Sequence, residues 1–137
     1  MIARVFFLAG ASIFGFLGTL HLLYTFFSDK FLARDPAVVE AMKGTSPRIS
    51  RGTTMWRAWI GFNASHSFGA MLLSAFYLLL AGRHMDVLAG SRSLAVLPVI
   101  ASAAYFVVAK RYWFAVPFRG IAIASGCFAI GAGLVMT

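Results

Sequence analysis

Apolar positions gather into four long runs, about residues 2–27, 58–81, 93–109 and 120–136, with polar or basic residues between them. A helix that crosses the hydrocarbon core of a bilayer needs about 20 such residues, with a short limit of ~17. All four runs reach that limit. The pattern predicts an all-α integral membrane four-helix bundle, one transmembrane domain over residues 1–137. The last two runs can be lengthened by residues 110–119. There Tyr112, Trp113, Phe114 and Phe118 mix with Lys110, Arg111 and Arg119, as in the aromatic and basic belt of a membrane–water boundary. Pro117 marks the start of the fourth helix or the turn before it. Pro98, inside the third, is expected to kink it where neighbours resatisfy the backbone.

Only the first connection is long. Asp35 and Pro36 followed by AVVEAMKG combine an N-cap, a proline at the first helical position and a closing Gly44. They predict a short helix lying along the interface. Residues 45–51 read as a polar turn, and Thr53 or Thr54 can cap the second spanning helix. The first run is too long for a signal-peptide core and passes His21 and Tyr24 without a small-residue cleavage site, so it reads as retained. His84 and Asp86 fall in the short second connection, as solvated residues.

Composition agrees with the pattern. The 137 residues are 61% hydrophobic and 12% charged, with a mean hydropathy of +0.85; soluble domains carry about twice that share of charge. A net charge of +8 would suggest nucleic acid in a soluble chain. Here the cations sit between apolar runs, where insertion topology and anionic headgroups place them, so nucleic acid is disfavoured as a partner. The first and third connections hold nine of the twelve Lys and Arg residues, and Arg4, Arg83 and Arg92 mark the other side. That bias puts the long loop in the cytoplasm and both termini outside. A lone Cys127 excludes an internal disulfide and any Cys-rich metal site, and reads as a packing residue.

Candidate chemistry lies in the first two spans. At about 100° per residue, Trp56, Trp59, Asn63, His66, Ser67, Ala70, Ser74 and Tyr77 share one side of the second spanning helix. Gly61, Ser65 and Gly69 share the other, which suits close approach of a neighbouring helix. Ala122, Gly126, Ala129 and Gly133 form a similar small-residue stripe on the last helix. The first helix has a matching polar face of Leu17, Gly18, His21, Tyr24, Thr25 and Ser28. With a rise of 1.5 Å per residue, His21 lies ~9 Å and His66 ~12 Å from the long-loop ends of their helices. A hairpin brings the two to similar depth.

Buried imidazoles and amides are costly in hydrocarbon unless they face partners, water or a ligand. One reading is a polar zipper of His21, Asn63, His66, Ser67 and tyrosine hydroxyls, which sets helix register. A second is a ligand site for a lipid, isoprenoid or quinone head group, built from His21, Tyr24, Thr25, Trp56, Trp59, Asn63, His66 and Ser67. In it His66 would be the candidate for proton transfer. A third is a b-type haem with His21 and His66 as axial ligands. Zinc or iron alone is disfavoured: the apolar runs hold no Asp or Glu, and two histidines make an incomplete set. No reaction is named by these residues.

The stretch MWRAWIGFNASHS, with HLLYTFF at residues 21–27 and the SPR turn at 46–48, resembles a family of small four-span bacterial inner-membrane proteins, loosely DoxX-like. The resemblance covers about half the chain. It implies a retained first helix, a four-helix fold and an inner-membrane location, and it carries no activity. The functional expectation is therefore a polar cleft between the first two spans that binds a lipid-like or quinone-like molecule. A non-catalytic accessory subunit of a larger membrane complex is the alternative from another class, and a bis-histidine haem carrier is the third; a second copy of the chain and a larger membrane complex stand as candidate protein partners.

Overall fold

The computed structural model describes residues 2–137, of which 83% are helical, with no strand among the described residues. Its helices are α1 (Ile2–Phe27), α2 (Pro36–Gly44), α3 (Met55–Arg83), α4 (Met85–Gly90), α5 (Arg92–Tyr112) and α6 (Ala115–Met136). Four of them, α1, α3, α5 and α6, are long and apolar enough to cross a membrane. The protein is a multi-pass all-α membrane protein.

The spans exceed the apolar runs because cap and belt residues join them. Helix α3 starts three residues before its run, where Thr54 Oγ1 accepts from the Arg57 amide at 3.2 Å. Helices α5 and α6 absorb the basic aromatic belt down to the pair Trp113–Phe114. Pro117 lies in the first turn of α6, where its missing N–H breaks no helical bond. The short helix α4 was not expected. It occupies the connection that carries His84 and Asp86 and buries Leu88 completely.

The chain forms two compact units, and α1 and α3 contribute to both. The first comprises residues 2–17 and 70–137. Its core is aromatic: Phe7, Phe14, Tyr77 and Phe128 are fully buried. Phe7 stacks on Tyr77 at 6.3 Å between ring centroids, and Phe14 meets Tyr105 edge-on at 5.3 Å. The inward face of α6 is Ile121, Ala124, Phe128, Gly131 and Ala132, a helical stripe in large and small residues. Backbones come close where side chains vanish. A Cβ on Gly10 would lie 3.1 Å from the Ala124 carbonyl oxygen, and one on Gly131 would lie 3.1 Å from the Phe7 ring.

Polar groups of this unit are satisfied one by one. The Tyr77 hydroxyl donates to the Leu94 carbonyl at 2.8 Å, and Ser125 donates to the Ser102 carbonyl at 3.2 Å. Such bonds matter because no water replaces them in hydrocarbon. The stripe Ala122, Gly126, Ala129 and Gly133 does not pack as expected: Gly126 and Ala129 are exposed, and a Cβ on Gly126 or Gly133 would meet open space.

The second unit spans residues 18–69, the lower part of α1, the long connection, α2 and the start of α3. Asp35 caps α2, its carboxylate accepting from the Ala37 amide at 2.9 Å. The Met55 amide donates to the Thr45 carbonyl at 2.8 Å, which ties the exit of α2 to the entry of α3. Here too the small-residue side is a correction. Gly61, Ser65 and Gly69 are all exposed, and a Cβ on Gly61 would meet nothing within 4 Å.

Candidate functional site

All eight sequence-nominated residues, His21, Tyr24, Thr25, Trp56, Trp59, Asn63, His66 and Ser67, lie in the second unit. Helical spacing on α3 puts Asn63 and Ser67 in buried positions and leaves His66 and Trp56 half-buried. On α1, Thr25 is buried and His21 half-buried, whereas Tyr24 is turned outward.

The two histidines do meet. Their rings lie edge-to-face with centroids 5.3 Å apart, in direct contact. Asn63 sits beside them. Its amide nitrogen donates to the Trp59 carbonyl at 2.8 Å, so its Oδ1 is the atom facing His21. His21 Nε2 lies 3.0 Å from that oxygen and is therefore the protonated, donating nitrogen. The hydroxyls close back on the helices: Thr25 donates to the His21 carbonyl at 2.8 Å and Ser67 to the Asn63 carbonyl at 3.0 Å. Among the described residues, no buried side-chain nitrogen or oxygen lacks a partner.

This packing is not that of a haem site. Axial ligation directs one nitrogen of each imidazole at an iron, with the macrocycle between the rings. Here the rings touch, and the Nε2 of His21 is committed to Asn63. Nor is a metal cage formed: among the described residues no three His, Cys, Asp or Glu side chains come together.

A hollow opens elsewhere in the unit. A hollow of about 380 Å³ is lined by Lys30, Phe31, Leu32, Ala33, Met42, Trp56 and Trp59. That volume falls at the lower end of the roughly 300–1,000 Å³ usual for small-molecule sites. Phe31 joins the hollow to the polar cluster, with its ring 4.4 Å from that of His21. It is held by its own backbone, whose carbonyl accepts from the Trp59 indole at 3.3 Å. The segment before it is a tight turn, with the Lys30 amide donating to Ser28 Oγ and the Leu32 amide to the Asp29 carbonyl.

Of the residues nominated from sequence, Trp56 and Trp59 line this hollow; His21, Tyr24, Thr25, Asn63, His66 and Ser67 do not. Sequence reasoning missed Lys30, Phe31, Leu32, Ala33 and Met42. The first four stand in a non-helical connection without hydrophobic period. The one available signal was the unusual apolar content of KFLA directly after a spanning helix. The chain matches no protein-family model, no curated protein and no solved structure.

Proposed function

We propose that this small multi-pass membrane protein binds an amphiphilic, lipid-like or quinone-like molecule in the loop hollow of residues 30–33, 42, 56 and 59. The observation that carries the reading is the lining itself: two tryptophans, a phenylalanine and three aliphatic or thioether side chains, with one cation, Lys30. Small-molecule sites combine such apolar walls with a few polar groups that orient the guest. The guest does not sit between the imidazoles, as the sequence suggested. The His21–Asn63–His66 cluster instead fixes the register of α1 against α3 beneath Phe31.

The test is chemical. Protein extracted in mild detergent should retain an amphiphile detectable by mass spectrometry, and Trp56→Ala should deplete it about tenfold while the helical circular dichroism persists. An unchanged set of retained molecules in Trp56→Ala sinks the reading.

A second reading has its own support. The complete satisfaction of the polar cluster is what a pure scaffold, an accessory subunit of a larger complex, would show. Such a subunit would keep its function in Trp56→Ala. By the cation bias the long loop faces the cytoplasm and both termini lie outside, in a bacterial inner membrane. A C-terminal alkaline phosphatase fusion is expected to be active, and an inactive one reverses the orientation.

A further inference from the structure

We infer that the occupant of the hollow is an anionic glycerophospholipid, selected over neutral amphiphiles by Lys30; this rests on the proposed binding reading and narrows it. Three observations lead there. The polar side-chain atoms offered to a guest are all donors. Lys30 Nζ makes no ion pair, the described residues holding only the Lys43–Glu40 bridge. Trp56 keeps its indole N–H free of any partner, whereas that of Trp59 is spent on the Phe31 carbonyl. An ammonium and an indole N–H together suit a phosphate oxygen, and with no carboxylate in the lining to hold a choline cation the hollow favours a phosphate whose charge is not cancelled by its own head group.

The surroundings carry the same sign. Between residues 28 and 57 the chain places Lys30, Arg34, Lys43, Arg48, Arg51 and Arg57 against Asp29, Asp35 and Glu40, and Glu40 is already paired with Lys43 at 2.7 Å. Each basic residue near an anionic surface adds to the attraction for it. Position selects the source of the phosphate. The hollow adjoins the start of the membrane-length helix α3, and tryptophans at the end of such a helix favour the headgroup level of a bilayer. The aromatic and aliphatic walls then take the upper part of an acyl chain.

Brominated lipids test this, because bromine quenches tryptophan at contact. In detergent micelles, brominated phosphatidylglycerol should quench Trp56 and Trp59 at about one-fifth the mole fraction needed by brominated phosphatidylcholine, in a Trp113→Phe background. Lys30→Gln should erase that preference, and Lys110→Gln, at an exposed lysine outside the hollow, should leave it. If Trp113→Phe fails to fold, native mass spectrometry of the unaltered chain and Lys30→Gln reads the same preference as retained phosphatidylglycerol. Equal quenching by the two lipids, indifferent to Lys30, overturns the anionic selection while leaving the hollow as a binding site. Displacement of the bound phosphatidylglycerol by equimolar decylubiquinone overturns it in favour of a neutral quinone. Quenching no stronger than that of Trp113 by annular lipid, read in a separate Trp56→Phe/Trp59→Phe chain, removes the binding reading as well.

Discussion

The two units solve the same problem, polar backbone and side chains in hydrocarbon, with opposite materials. In residues 70–137 and the first part of α1, bulky aromatic rings fill the core, and buried Tyr77 and Ser102 each donate a hydroxyl to a single carbonyl. In residues 18–69 the interior is a connected polar cluster of two imidazoles and an amide, flanked by an open hollow. The first unit has a packed aromatic core, and the second joins a satisfied polar cluster to open space. The hollow is open to its surroundings and walled by apolar side chains, the kind of lining that small-molecule sites use.

The sharpest way to break this comparison is to empty the packed unit. Phe128→Ala removes a fully buried ring that meets Phe7, Phe14 and Tyr77. Such truncations cost about 3–5 kcal/mol. The midpoint of unfolding in SDS titration should drop markedly, and the folded yield with it. A change no larger than that of Trp56→Ala would mean that the two units do not differ in packing.

The polar cluster should respond more weakly and in a coupled manner. Asn63→Ala strips the acceptor from His21 Nε2, leaving a donor whose burial without a partner costs about 1–3 kcal/mol. A double-mutant cycle of His21→Ala with Asn63→Ala should give a coupling of about 0.6–2 kcal/mol, the range of interhelical hydrogen bonds in membranes. Additive effects would show that the 3.0 Å contact contributes nothing and that the cluster is not a register lock.

The smallest effect is expected at Gly61. Its Cβ direction is open, so Gly61→Ala should be neutral or stabilising by up to about 1 kcal/mol through helix propensity. The matched change Gly10→Ala, whose Cβ would crowd the Ala124 carbonyl, should be destabilising instead. If both behave alike, the assignment of close helix contacts to Gly10 rather than Gly61 fails. Loss of an oligomer in Gly61→Ala would instead restore a packing role to that stripe, toward a second copy.

Much of the fold was legible because spanning length and period are local properties. The four apolar runs, the Asp35–Pro36 start of α2, the Thr54 cap and the buried side of α3 from Asn63 to Tyr77 all follow from residues close in sequence. The depth match of His21 and His66 was legible for the same reason: rise per residue and a hairpin suffice.

What only tertiary structure decided is which small residues meet a neighbour and where space remains. Gly10 and Gly131 are crowded while Gly61 and Gly126 are open, although all four sit at helical spacing among apolar residues. A helix has several faces suited to contact, and the choice is made by the volumes that face them from distant parts of the chain. The contact between the imidazoles and the hollow beside Phe31 have the same origin. Each depends on how a non-periodic loop folds back on two helices, and no local pattern encodes that.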